Sequence, residues 1–200
     1  MPQPYHHGNL REALLQAALQ LIAELGPAGF TLREVARRAG VSHNAPYRHF
    51  PNKDELLAAV AAQGFHELTE AMMDAAQAGS NALERLQRSG WAYVAFALRR
   101  PEHFTVMFDA PLAKSTNPKS TEAGEKAFGA LVAAVEACQQ EGQLPPGETM
   151  ARALVAWSLV HGISKLAIAQ RLPFRSSAAV LKFAEIAIQA SMPSLAWRGS

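Results

Sequence analysis

An all-helical (all-α) protein is predicted by three features of the sequence. Apolar residues recur at three- and four-residue steps along nearly the whole chain, strand-like alternation is almost absent, and proline or glycine interrupts the pattern at helical intervals. The first helix is expected over residues 9–25, with Leu10, Leu14, Ala17, Leu21 and Leu25 on one face and Gly26-Pro27 ending it. Thr31 and Glu34 have the spacing of a capping box, so a short helix is expected over residues 33–38, with Leu32, Val35 and Ala36 facing inward. Ala39-Gly40-Val41-Ser42 reads as a sharp turn in which glycine takes the left-handed backbone and Val41 returns to the core. Ser42 or Asn44 is expected to cap the next helix, with Pro46 in its first turn and its end at Phe50. Pro51-Asn52-Lys53 closes that segment, and a long helix is expected over residues 53–78. Further helices are expected near residues 82–99, 102–109, 122–141, 148–171 and 176–191, separated by Pro101, Pro111, Pro145-Pro146 and Pro173. The polar, turn-rich stretch over residues 111–120 reads as a mobile loop.

Composition narrows the function classes. Two hundred residues, about half of them apolar, are enough for a real core in one ordinary domain or in a small and a medium one. The single cysteine, Cys138, excludes an internal disulfide and any multi-cysteine metal site, and fits a reducing cytosol. The opening MPQPYHHGNLRE has no apolar core behind a basic start, and no run of about eighteen apolar residues occurs, so a soluble, cytoplasmic chain is expected. Net charge is only +2, but residues 1–53 hold six basic groups (Arg11, Arg33, Arg37, Arg38, Arg48, Lys53) against three acids. Four of the seven histidines, His6, His7, His43 and His49, lie there too. Such a segment suits a phosphate-bearing partner, although on charge alone a chance excess explains it equally well.

A short helix, a glycine turn and a second short helix, resting on a preceding amphipathic helix, form the three-helix arrangement that places a recognition helix in the major groove of DNA. Leu14, Ala18, Leu21, Phe30, Leu32, Val35, Val41, Tyr47 and Phe50 are expected to fill its core. His43, Asn44, Ala45, Arg48 and His49 are then left facing outward, nearly all of them chemistry able to reach base edges or phosphates. The segment TLREVARRAGVSHNAPYRHFPNKDELL, residues 31–57, closely resembles the DNA-binding domain of the TetR/AcrR family of transcriptional regulators. That resemblance implies phosphate contacts by Thr31, Tyr47, His49 and Lys53, and base-facing positions for His43, Asn44 and Ala45. Lys53 also stands where a helix N-terminus makes a phosphate seat. Arg48 is a second phosphate candidate or a solvated arginine. Ser42 counts with the DNA-binding set or serves only as a cap. Tyr5, His6 and His7 are either an arm reaching the backbone or a disordered tail.

Beyond residue 60 the reading is of a helical regulatory and dimerisation domain over residues 61–200, following a DNA-binding domain over residues 1–60. Trp91, Phe96, Phe104, Met107, Phe108, Trp157 and His161 are the candidate ligand-binding residues, and each is equally explained as plain core. AWSLVHGISKLA and RPEHFTVMF resemble the WHG-type C-terminal domain found in part of the same family. The last two long helices are rich in small residues, and the resemblance implies that they pair with their symmetry mates in a homodimer. Expected partners are a palindromic double-stranded DNA operator, a second copy and a small apolar or aromatic effector that releases the protein as a repressor. As for an enzyme, His161, His103, His66 and Cys138 show no HExxH, no carboxylate pair with a histidine and no phosphate-binding glycine loop. No catalytic residue, cofactor or metal is therefore expected, and Cys138 reads as a small core residue. Gly199-Ser200 has the look of a cloning scar.

Overall fold

The computed structural model describes residues 10–108 and 118–196. Among them every regular element is helical: α1 (Leu10–Leu25), α2 (Leu32–Arg38), a single 3-10 turn (Pro46–Arg48), α3 (Lys53–Ala76), α4 (Ala82–Arg99), α5 (Pro101–Phe108), α6 (Pro118–Gln140), α7 (Thr149–Ile168) and α8 (Ser177–Leu195). Tyr5, His6, His7, most of the 111–120 stretch and Gly199-Ser200 lie outside the described residues.

The chain forms two compact units. The first comprises the described residues through Gly64 together with those within Glu102–Glu122; the second comprises Phe65–Pro101 and the described residues from Ala123 on. The boundaries at Gly64 and Glu122 fall inside α3 and α6, and that at Pro101 falls at the first residue of α5, so these helices contribute to both units.

In the first unit the apolar face of α1 buries Leu14, Leu15, Ala17, Ala18, Leu21 and Ile22. Leu25, expected on that face, is exposed at the last helical position before the Gly26 turn. Thr31 closes a complete capping box at α2: its Oγ accepts from the Glu34 amide at 3.3 Å, and Glu34 accepts the Thr31 amide at 2.7 Å. At its other end Gly40, with φ of 68°, lets the Gly40 and Val41 amides reach back to the carbonyls of Arg37 and Ala36. These two bonds are the Schellman pattern, and they need the left-handed backbone that glycine supplies without strain.

In the second unit α4 packs on α7 and α8. Gly90 permits that closeness, since a methyl there would stand 3.3 Å from Ile188 and 3.4 Å from Val160. A further core of Leu86, Val135, Cys138, Leu144, Ala153 and Leu195 joins α4, α6, α7 and α8. The start of α4 is capped from within and from across the unit: Asn81 accepts the Glu84 amide, Glu141 accepts the Ala82 amide and Gln143 accepts the Leu83 amide. Glu141 also pairs with Arg85. The buried Arg152 donates Nε to the Leu195 carbonyl at 2.8 Å and a further N–H to Gly147, setting positive charge at the C-terminal end of α8 where the helix dipole favours it.

Two boundaries differ from expectation. α6 begins at Pro118, so residues 118–120 are helical rather than loop; proline at a first helical position sacrifices no hydrogen bond. α8 runs through Pro193 to Leu195, because in a last turn only one amide is lost and the Ala196 amide still bonds back to Met192 and Pro193.

Candidate nucleic-acid interface

The recognition segment is shorter and tighter than its sequence suggests. Instead of an α-helix reaching Phe50, residues 46–48 form one 3-10 turn preceded by Ala45, and neither Ser42 nor Asn44 caps it through its side chain. Pro46 has no amide to continue an α-helical ladder, and the Ala45, Arg48 and His49 amides bond three residues back, to Ser42, Ala45 and Pro46. The inward places therefore go to Pro46 and Phe50, both buried. Tyr47, expected in the core, is 48% exposed, and Val41 is only half-buried.

Around that turn the structure gathers Ser42, His43, Asn44, Tyr47, Arg48 and His49 as exposed side chains, with Ala45 half-buried among them. The basic groups divide into two sets. Arg38 is spent on a bidentate pair with Glu24, at 2.7 and 2.6 Å, which ties α2 to the end of α1 and holds the Glu24 carboxyl below its ordinary range. Arg11 lies over the Phe50 ring at 5.6 Å. Arg33, Arg37 and Arg48 are exposed and form no ion pair or hydrogen bond with any described residue. Arg33 and Arg37, four apart on the outer face of α2, were missed by the sequence reading; the inward set Leu32, Val35 and Ala36 already implied that they point away from the core.

Lys53 opens α3, as expected, but its ammonium is not idle. Nζ donates to the carbonyls of Ala28 at 2.9 Å and Phe30 at 2.7 Å and lies over the Phe30 ring at 4.4 Å. Burial lowers its pKa, opposed by the charges of Asp54 and Glu34. Three N–H bonds minus two leaves one for an outside acceptor. The cap of α3 is Asn52, whose side chain accepts the Glu55 amide at 2.9 Å, a role the sequence reading did not assign. Thr31 is exposed, but its hydroxyl donates to Glu34 at 2.9 Å within the capping box.

The candidate ligand residues separate by unit. Phe104, Met107 and Phe108 lie on α5 in the first unit, where Phe104 is fully buried, its ring 4.8 Å from that of Phe108. A methyl on Gly64 would meet the Met107 sulfur at 2.6 Å, so α3 and α5 touch at that glycine. Trp91, Phe96, Trp157 and His161 lie in the second unit. Phe96 is wholly core. Trp157 and His161 do meet, with ring centroids 5.5 Å apart, and the buried Tyr93 hydroxyl joins them: it accepts from Trp157 Nε1 at 3.2 Å and is hydrogen-bonded to His161 Nδ1 at 2.9 Å. Burial pushes the Tyr93 phenol well above its usual value, so it stays a neutral bridge. Phe128 from α6 packs edge-on to Trp157 at 5.8 Å. Cys138 is buried and its thiol is pushed up to about 11 by burial, which fits an unreactive core residue. Among the described residues no group of three or more potential ligands is placed to hold a metal ion. None of their helices is long and apolar enough to cross a membrane.

A sequence profile for "Bacterial regulatory proteins, tetR family" matches residues 14–60, and one for "Tetracyclin repressor-like, C-terminal domain" matches residues 86–190. The chain belongs to the TetR family. Among curated relatives, the HTH-type transcriptional repressor Rv3405c of Mycobacterium tuberculosis is 50% identical over 48 residues, 24% of this chain and 26% of that protein. The likeness thus spans about a quarter of the length of such relatives. Among solved structures, a protein of unknown function from Rhodococcus sp. RHA1 is 38% identical, with a TM-score of 0.80 over 98% of this chain and 100% of that one. The transcriptional regulator FadR of Bacillus subtilis, solved with stearoyl-CoA, shares the fold at 15% identity, with a TM-score of 0.78 over 94% of this chain and 100% of that one. Members of the TetR family are regulators rather than enzymes, which agrees with the chemistry gathered around the 3-10 turn.

Proposed function

We propose that this TetR-family protein is a cytoplasmic, ligand-responsive repressor that binds a palindromic DNA operator as a homodimer. The observation that carries the reading is the surface of the Pro46–Arg48 turn, where imidazole, carboxamide, phenol and guanidinium groups stand exposed beside α2, whose Arg33 and Arg37 are exposed and make no hydrogen bond or ion pair with any described residue. His43, Asn44 and Ala45 read base edges, while Ser42, Tyr47, Arg48 and His49 position the unit on the backbone. Lys53 adds its remaining N–H, and Arg33 and Arg37 extend the phosphate line along α2. Thr31 acts chiefly through its cap, because its hydroxyl proton is already given to Glu34.

Residues 1–60 serve as the DNA-binding domain and residues 61–200 as the regulatory and dimerisation domain. Trp91, Trp157 and His161 of the second unit supply apolar chemistry for a small effector, with Phe96 as core behind them. The stearoyl-CoA held by the Bacillus subtilis regulator supports the idea that this fold accepts an apolar ligand. Effector binding weakens operator binding through differential affinity for two states, and α3 and α6, each of which contributes to both compact units, are elements able to connect them.

The test is fluorescence anisotropy on duplexes recovered by selection from random sequence, at several salt concentrations. A selected palindrome should bind at least about 10³-fold more tightly than scrambled duplex, with affinity falling steeply as salt rises. Equal affinity for selected and scrambled DNA at every salt concentration refutes the reading.

A further inference from the structure

The second unit carries an open cleft of about 620 Å3 between the end of α3, α4 and α8. Its floor is apolar: Ala75 and Ala78 on one side, Ile188 on the other, and Trp91 with 40% of its surface open. Cavities of this size accommodate small organic ligands, and most such sites combine an apolar floor with a few polar groups at the rim.

The polar chemistry left uncommitted around that floor points to one charge type. Gln87, Arg88 and Gln189 line the cleft and form no hydrogen bond or ion pair with any described residue. With the Trp91 indole they offer mainly donors, and the cation of the lining is the Arg88 guanidinium, which acts on the Glu84 carboxyl through its charge but makes no hydrogen bond or ion pair with it. The two carboxylates at the rim are occupied instead. Glu84 accepts the Ser80 amide at 2.8 Å and the Ser80 hydroxyl at 2.9 Å, which lowers its pKa, and Glu185 pairs with Lys182 at 2.8 Å. An incoming anion therefore gains a bidentate guanidinium partner, whereas an incoming cation must compete with contacts already made.

Spacing completes the case. Arg88 precedes Trp91 by three residues on α4, so the two side chains are neighbours on one face, about one helical turn of roughly 5 Å apart. That is the separation between a carboxylate and the body of the ring that bears it. We propose that the cleft binds a small aromatic carboxylate, its ring on Trp91 and Ile188 and its carboxylate on Arg88, with Gln87 and Gln189 donating at the rim. The inference names a place and a ligand class for the effector of the regulatory reading, and rests on that reading only for its effect on DNA.

Calorimetric titration of the full chain with 2-naphthoate, neutral 2-naphthamide and 2-naphthylmethylammonium separates charge from ring. Naphthoate should bind the strongest, Arg88→Gln should weaken it at least tenfold to the level of the amide, and Trp91→Leu should weaken acid and amide alike. Glu185→Gln should leave naphthoate binding intact or tighter. Both Arg88 and Trp91 are exposed, so the melting temperature of each variant should match the wild type and exclude misfolding. No naphthoate binding by the wild-type chain, binding insensitive to Arg88→Gln, or equal binding of the ammonium analogue overturns the proposal. Operator anisotropy with naphthoate reads the regulatory step separately: binding at Arg88 without operator release confirms the cleft and removes it as the effector site.

Discussion

Lys53 shows how much one side chain's environment adds to its residue type. Position alone marks it as a phosphate seat, yet its ammonium also holds the Ala28 and Phe30 carbonyls, the loop that leads into Thr31 and α2. The proposed phosphate contact is compatible with that geometry, since the loop fixes the ammonium and leaves a single donor beside those two bonds. Lys53→Ala should therefore weaken binding to every sequence and reduce the salt slope of log K by about one. Asn44 is exposed and engaged with nothing among the described residues, so Asn44→Ala should shift sequence preference by about 1–3 kcal/mol at one position while leaving the salt slope unchanged. An unchanged slope in Lys53→Ala would make the residue a loop clamp only, and an unchanged preference in Asn44→Ala would remove it from base reading.

At the scale of elements, the helix ends are tied down by carboxylates. Glu34 closes the α2 box, Glu84 holds Ser80 ahead of α4, Glu141 caps Ala82, and each has its pKa lowered from 4.5 by those hydrogen bonds. A depressed folded pKa contributes stability above the unfolded value and loses it as pH falls through the folded one. Melting temperature should accordingly be flat from about pH 7 to 5.5 and decline below about 4.5, and Glu34→Gln should make that decline shallower. A parallel decline in wild type and variant would show that the box does not carry the effect. The same local signals explain what the sequence disclosed. Thr31, Glu34 and Gly40 announce α2 and its end because caps are contacts between near neighbours. Tyr47 was misplaced because a proline-led 3-10 turn repeats every three residues rather than at the α-helical 3.6, which turns Pro46 inward and Tyr47 out. The Tyr93 bridge was invisible because its partners Trp157 and His161 lie 64 and 68 residues away, and no local pattern records such a pairing.

On the scale of the whole molecule, the outer face of α7 is apolar and exposed among the described residues. Met150, Leu154, Val155 and Leu166 are exposed there, Ser158 is exposed between them, and a methyl at Gly162 would meet nothing within 4 Å. On α8, Ile186 is exposed as well. Apolar surface repeated along one helix face costs solvation unless something covers it, and a TetR-family chain that reads a palindrome needs a second copy in isologous contact. A two-fold contact would set the recognition turns about one DNA turn, roughly 34 Å, apart, so under the proposed function operator affinity should depend on the dimer. Leu154→Glu is then the informative change: near a two-fold axis it sets like charges against each other and desolvates both, while in a monomer the same side chain is simply solvated. Light scattering should show a dimer for the wild type and a monomer for Leu154→Glu at micromolar concentration. Helical content should be unchanged, and operator affinity should fall by at least about tenfold toward that of scrambled DNA. A variant that stays dimeric and keeps its operator affinity would place the dimer contact elsewhere and leave the exposed face of α7 without a role.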